Sequence, residues 1–505
     1  MLSNRLFSFF AGIICGLCFA PVFFLPGIFC TSILLAQIKI SKTKFEAMKF
    51  GYMFGFGFYL STLYWISFGV SVYIEQFWWA IPFALFGLPA FLAIFSAIIA
   101  GLTWCFREKN SFHFIFCCIW VFVEWMISWI FSGLPWGLIG YALSNFLTLI
   151  QFADLTGIFG LSFVVIYIGS SFYNFLCNEQ RGDFYTRLLT SIMMIIAITV
   201  YGFVKIKNNP TEFSLISARL VQPSIPQTEK WDPQEFWQNL DLQVALSKRP
   251  GEPDLIIWSE AALVGPYNVK SIWDTILPVF SNDKQILITG AVSSNNKTNE
   301  ELEIYSSMIG LKQNATKIFE YHKSHLVPFG EYMPLKTILP LKKITHGIVD
   351  YTQGKRENIY VDRLKFAFQP LICYESIFTS EVKTSNRNVD VIINITNDAW
   401  YGNSSGPYQH FEISRMRSVE NGLPMLRTAN NGISAFIDPI GRVLNKTDLN
   451  ETTIIDNFIP RKLSYETCFS RYGVRILLLA TALVLILQLT NKYFLRLLLR
   501  IVKNA

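Results

Sequence analysis

The distribution of apolar runs constrains this chain more than any other property. A helix needs about 20 mostly apolar residues to cross the hydrocarbon core of a bilayer. Runs of that kind lie near residues 5–20, 25–38, 51–71, 78–104, 114–131, 157–177, 188–206 and 474–493, which predicts eight crossings. The first two are short and separated by Ala20-Pro21 and Pro26-Gly27, so they could instead form one re-entrant pair. Residues 133–155 are apolar as well, but Pro135, Asn145 and Asp154 interrupt them, and a non-spanning interfacial stretch is expected there. Composition agrees: charged residues make up 16% of the chain, against roughly 25% in an average soluble domain. Intrinsic disorder, a disulfide scaffold and a wholly soluble enzyme are excluded.

Charge divides the chain in the same way. Residues 208–473 hold 27 Lys+Arg and 29 Asp+Glu, whereas the remainder holds 16 and 7, so the net charge of +7 belongs to the membrane part. Basic residues in short loops mark the cytoplasmic side. Lys39, Lys42, Lys44 and Lys49 follow the second run, Arg107 and Lys109 the fourth, Arg181 and Arg187 the sixth, and Lys492, Arg496, Arg500 and Lys503 the last. All four clusters fall on one side, which places residues 208–473 on the other, exported face. Lys205 and Lys207 are an exception at that outer edge. Anchoring charge of this kind is no nucleic-acid surface. A cleaved signal peptide is not expected, because further spans follow directly and the first segment carries only Arg5.

Seven of the nine cysteines lie in or beside the apolar runs, where a small apolar thiol packs readily. The exported segment keeps only Cys373 and Cys468. Cys468 lies close to the last run and is read as structural. An oxidising compartment pairs or excludes cysteines, so a lone Cys373 in the body of a domain calls for a chemical reason.

Three units follow: a bundle over 1–207, a domain over 214–460 and a final helix over 474–493. The domain alternates apolar β-rich runs with helical stretches. Strands are expected at Ser217–Val221, Asp254–Trp258, Gln285–Ala291, Tyr305–Leu311, Ile318–Tyr321, Lys365–Ile372, Val389–Ile395, Met425–Thr428, Ile433–Asp438 and Thr453–Phe458. Runs such as LIIW and VIINI are apolar throughout, as strands buried on both faces are. Asp232-Pro233-Gln234-Glu235 predicts a helix start with Asp232 as N-cap. A second helix is expected over roughly Tyr408–Asn421, and Asp438–Gly441 as a turn between late strands. A single layered α/β domain accounts for this pattern.

Three strand ends carry unusual polar residues. LIIW runs into Ser259-Glu260, IFEY into His322-Lys323, and QPLI into Cys373-Tyr374-Glu375. Ligands collect outside strand ends in open α/β sheets, and a carboxylate, an ammonium and a thiol together suit acyl transfer. A thiol of pKa about 8.5 is mostly protonated at neutral pH and needs a base. A carboxylate in a dry site can take that proton and return it to a leaving group. A fixed ammonium and the N–H after the nucleophile can hold the oxyanion. A Cys–His pair is the rival arrangement, with His322, His325, His346 and His410 available and His325 next in line as the base. No CxxC or HExxH spacing supports a metal site.

The motifs LIIWSEAA, YHKSHLVPFGEYMP, LICYES, NITNDAWYG and RTANNGISAFIDPIGRV resemble the nitrilase, or carbon–nitrogen hydrolase, superfamily. VQPSIPQTEKWD and SGLPWGLIGY are similar to its membrane branch, the apolipoprotein N-acyltransferases. The resemblance covers essentially the whole chain. It implies an αββα sandwich, a Glu260–Lys323–Cys373 triad and no cofactor. It implies a ping-pong reaction at the outer face of a bacterial inner membrane. Phospholipid would donate an acyl chain to Cys373, and a diacylglyceryl-cysteine lipoprotein would accept it as an amide. Trp231, Glu331, Tyr374 and Glu375 match positions the family uses at or beside its site. Two positions depart from the family pattern: Ser259 stands where Pro is usual, and Ile127 where an Arg usually follows Glu124.

Glu331–Gly354 is apolar with interspersed Lys336, Lys342 and Lys343. Such a segment can lie in the headgroup region as a lid for acyl chains, or pack as an ordinary long loop. Two other functions fit parts of the pattern: a membrane-tethered amidase with water as acceptor, and a transporter or non-catalytic scaffold. Eight spans argue against the first, and a complete triad against the second.

Overall fold

The computed structural model describes residues 4–177, 181–295, 303–334, 336, 343, 349–382, 389–475 and 479. Helices occupy the first seven expected positions. Ile74–Trp104, Ala153–Cys177 and Phe184–Asn208 are long and apolar enough to cross a membrane, while Arg5–Gly16, Leu25–Ile40 and Phe112–Ile127 are shorter apolar helices. The expected final span falls almost wholly outside the described residues, as do His346 and half of the Glu331–Gly354 stretch.

The bundle packs through small residues. In helix Lys44–Leu63, a side chain at Gly51 would meet Ala100 and Ser96 at 2.5 Å, and one at Gly55 would meet Ser96 at 2.4 Å. Glycine is required at both because the helix Leu88–Trp104 approaches there backbone to backbone, the usual basis of helix pairing in lipid. Phe184–Asn208 instead turns Leu189, Ile192, Met193, Ile196, Val200 and Phe203 outward, as a lipid-facing helix does.

Lys205 is no loose surface charge. Its Nζ lies 2.7 Å from Asp154, both side chains are buried, and the Tyr201 hydroxyl donates to the same carboxylate. Residues 133–150 form short helical turns, as their interruptions predict, and carry the fully buried Trp136.

Among the described residues, twelve strands build the domain that follows the bundle: β1 Phe213–Gln222, β2 Leu255–Ile257, β3 Ile286–Asn295, β4 Glu303–Leu311, β5 Lys317–His322, β6 Ile359–Val361, β7 Phe366–Ile372, β8 Val391–Thr396, β9 Met425–Ala429, β10 Ala435–Ile437, β11 Val443–Lys446 and β12 Thr453–Pro460. They form two six-stranded sheets, ordered β12-β1-β2-β3-β4-β5 and β11-β10-β9-β8-β7-β6. The pairs β1–β2, β2–β3, β7–β8 and β8–β9 are parallel, and the flanking pairs antiparallel.

Strand alternation sorts the apolar residues into layers. Leu255, Ile257, Ile288, Phe368, Ile372, Ile393 and Ile395 meet between the sheets. Ile256, Trp258 and Leu287 face out beneath the helices Phe236–Ser247 and Lys270–Ile276. Leu371, Ile392 and Met425 face out beneath Phe411 of helix Gly406–Asn421. This is a helix–sheet–sheet–helix sandwich.

Two sequence expectations need correction. Helix Phe236–Ser247 begins after Glu235, not after Asp232, whose side chain instead accepts from the Gln234 N–H at 2.9 Å in a preceding turn. Strands β6 and β11 were not expected: β6, though apolar, is only three residues long, and β11 is short and poorly buried.

Helix Gly406–Asn421 is buried along nearly its whole length although many of its residues are polar, because it lies between a sheet and the bundle. Gln409 ties the two together, accepting from Trp136 Nε1 at 2.8 Å and donating to the Ala20 carbonyl at 3.3 Å. Farther along, Arg415 donates to the Ser144 carbonyl at 3.1 Å and Glu420 accepts from the Ile158 N–H at 2.9 Å.

Candidate active site

Glu260 lies three residues past β2, Lys323 directly past β5, and Cys373 directly past β7. The sheets face each other, with Phe319 of β5 edge-on to Phe368 of β7 at 5.3 Å, so these ends open on one place. Lys323 is 1% exposed; its Nζ lies 2.7 Å from Glu331 Oε1 and 3.3 Å from Glu260 Oε1. Burial opposes its charge, but the Glu331 and Glu260 carboxylates outweigh that and hold the ammonium well above the usual lysine range. Glu331 is fixed in turn by the Val327 N–H, which donates to Oε2 at 2.8 Å.

Cys373 sits at φ +50°, a left-handed conformation that costs a non-glycine residue roughly 1–3 kcal/mol and clusters at functional sites. The strained step turns the chain from β7 into the short turn Cys373–Ile377. Burial, helped by the charge of Glu260 and opposed by that of Lys323, pushes the thiol up to about 12. At neutral pH it therefore rests protonated, and the site needs a base to make it a nucleophile.

Glu375 accounts for the shape of the turn. Its Oε2 accepts from the Ile372 N–H at 2.6 Å, just before the thiol. Its Oε1 accepts from Ser324 N–H at 2.6 Å, Ser324 Oγ at 2.8 Å, His325 N–H at 3.2 Å and Tyr321 OH at 2.8 Å. One buried carboxylate thus binds the thiol strand end to the lysine strand end across the two sheets. Tyr374 reaches the other way, its hydroxyl donating to the Gly133 carbonyl at 2.9 Å. Trp231 is half-buried on the turn before helix Phe236–Ser247.

His325 and His322 are engaged by other partners. His325 Nε2 lies 2.8 Å from the Ser132 carbonyl, Nδ1 lies 3.3 Å from Glu381, and the ring stacks on Phe378 at 3.8 Å. His322 pairs with Ser307 and stacks on Tyr305. His410 approaches the Cys373 main chain: Nε2 lies 3.3 Å from its carbonyl, and Nδ1 lies 2.7 Å from Asp398, which Arg427 also contacts at 2.8 Å. Sequence reasoning did not join these into the fully buried Asp398–His410–Arg427 group, although His410 and the motifs NITNDAWYG and RTANNGISAFIDPIGRV hold its members. It also missed Lys230, whose buried Nζ donates to the Glu260 carbonyl at 2.9 Å.

At the two departures from the family pattern, the Ser259 hydroxyl and Glu124 Oε2 are buried with no hydrogen-bond partner among the described residues. Ser259 is buried, its carbonyl accepting from Gly290 N–H at 3.2 Å. Glu124 accepts from Trp120 Nε1 at 3.0 Å and from Ile139 N–H at 2.8 Å, with Ile127 packed into the bundle core.

Comparison with known proteins agrees with both halves of the chain. Residues 217–467 match the carbon-nitrogen hydrolase family, and residues 11–171 match the apolipoprotein N-acyltransferase N-terminal domain. A protein of Rickettsia bellii named apolipoprotein N-acyltransferase is 54% identical over 95% of this chain and 96% of its own length. Its namesakes in Rickettsia prowazekii and Brucella melitensis are 52% and 34% identical, over 97% and 82% of this chain and 98% and 80% of their own. An amidase from Nesterenkonia sp. aligns with 49% of this chain and 92% of its own at 18% identity and a TM-score of 0.36, too slight a likeness to argue from. With both family segments in order and relatives matched nearly end to end, the chain belongs to the apolipoprotein N-acyltransferase family.

Proposed function

We propose that this protein transfers an acyl chain from a membrane phospholipid to the α-amine of a diacylglyceryl-cysteine lipoprotein, through a thioester on Cys373. The observation that carries this reading is the buried thiol held on a left-handed turn beside a lysine clamped by two carboxylates. Glu260 takes the Sγ proton, and the thiolate attacks the carbonyl carbon of the ester. Lys323 and the Tyr374 N–H hold the oxyanion. The C–O bond breaks, Glu260 returns the proton to the departing alkoxide, and lysophospholipid leaves. The neutral amine then attacks the thioester. Glu260 accepts the amine proton, the C–S bond breaks, and the thiolate recovers that proton as the amide forms.

In this reading Glu331 fixes Lys323, Glu375 joins the two strand ends, and Tyr374 and Trp231 flank the entry of substrate. The bundle over 1–207 and the helix over 474–493 make eight crossings, with the 214–460 domain on the periplasmic side of the inner membrane. The basic loop clusters support that orientation.

Incubation with acyl-labelled phospholipid vesicles and a synthetic diacylglyceryl-cysteine peptide tests the proposal. The label is expected on the peptide as a hydroxylamine-stable amide. Release of labelled free fatty acid with no peptide acylation would assign the protein to amidase-like hydrolysis instead.

A further inference from the structure

The charges around Lys323 do not balance on their own. Glu260 and Glu331 both contact it, and the buried Glu375 also acts on the same ammonium. One cation thus faces two buried carboxylates and the partly buried Glu260, which would suppress both the thiolate and the oxyanion. Lys230 is a second buried ammonium at this place. Its Nζ donates to the main-chain carbonyl of Glu260, directly before Ala261, which is itself left-handed at φ +46°. The ionisable groups acting on Lys230 are Glu260 and Cys373, while Ile225, Phe236, Leu240, Val264 and the amides Asn239 and Gln243 complete its surroundings. The cavity they line measures about 20 Å³, room for one water molecule and for no part of a lipid. Lys230 therefore does not meet substrate through it.

We propose that Lys230 is a positioning residue of the acyl transfer: it pins the main chain that aims Glu260 and supplies a second positive charge beside the Glu260–Glu331 carboxylate pair. The argument rests on the function proposed above. Burial draws the ammonium down to about 8 against the pull of Glu260 and Cys373, so its charge depends on those partners.

The test is the rate of Cys373 acylation as a function of pH in detergent-purified full-length protein, followed by intact mass with phospholipid as donor. Lys230→Met is expected to slow acylation about tenfold or more, and to move the acidic limb of the profile up by about one pH unit, because a carboxylate that loses a nearby cation binds its proton more tightly. Lys230→Gln keeps a donor for the Glu260 carbonyl without the charge and is expected to show the same shifted limb at a smaller loss of rate. Lys230→Arg is expected to restore the limb. Neutral variants with the wild-type limb would overturn the proposal. Neutral variants that do not fold while Lys230→Arg does would overturn it too, by making the residue structural. Wild-type protein that turns over without any adduct would instead refute the thioester reaction itself.

Discussion

Replacing Glu375 by glutamine changes one oxygen for an NH2 group and should do disproportionate damage. Four donors converge on Oε1 and one on Oε2. The amide does least harm with its oxygen toward the four, which turns its NH2 against the Ile372 N–H. A buried N–H without an acceptor costs about 1–3 kcal/mol, and the remaining bonds lose charge assistance while the relief of an uncharged side chain offsets part of that. A net loss of about 2 kcal/mol lowers the midpoint of a domain this size by about 4–8 °C. The same change loosens the residue before Cys373 and the residues after Lys323, and a misplacement of about 1 Å costs roughly 100-fold in rate. Thermal unfolding followed by tryptophan fluorescence, with acylation of Cys373 measured in parallel, reads both effects. Burial raises the Glu375 carboxyl, with the Ile372 N–H and Tyr321 drawing it back; a proton on Oε2 would face the Ile372 N–H, so the geometry argues for the ionised form. A glutamine variant with wild-type midpoint and rate would mean that the carboxyl is held protonated, and would refute the network.

Further outcomes separate the remaining roles. Glu260→Gln is expected to remain folded and lose acylation by 1000-fold or so, whereas His325→Gln keeps it within a few fold; the reverse result would make His325 the base. Burial and the Arg427 charge hold His410 below the usual histidine range. The unfolded chain takes up a proton near pH 6.5 that the folded one refuses, so stability should fall by up to about 1.4 kcal/mol per pH unit below that point. His322 titrates in the same sense, so the informative quantity is the difference from His410→Gln, which is expected to melt with a shallower pH dependence between 6.5 and 5.5. An unchanged slope would mean that the imidazole is charged in the fold.

Sequence patterning anticipated the strands that matter because parallel, doubly buried strands are apolar throughout: LIIW, QPLI and VIINI each end at a residue of the site or of its support. It also singled out Glu260, Lys323 and Cys373, each a polar residue just past an apolar run, and the structure places Lys323 against Glu260 at 3.3 Å. Lys230 gave no such signal, since it lies inside the motif VQPSIPQTEKWD without ending an apolar run, and only the fold puts its Nζ beneath Glu260. The polar helix Gly406–Asn421 was similarly opaque: Arg417 looks like a surface residue until Tyr141 and Glu420 are seen around it at 3.1 and 3.0 Å. The helix start assigned to Asp232 failed because its side chain serves the turn two residues on, which competes with N-capping. Charge patterning separated bundle from domain, yet Lys205 defied it because its partner, Asp154, lies 51 residues away in sequence.

The central claim is that Cys373 carries the acyl chain between donor and acceptor. Intact-mass measurement of the purified protein after incubation with phospholipid alone tests it most directly. A single acyl adduct is expected, removed by hydroxylamine, localised to Cys373 and absent in Cys373→Ala. Acylation of the acceptor peptide at a normal rate with no adduct at any time, or by the Cys373→Ala protein, would contradict the account.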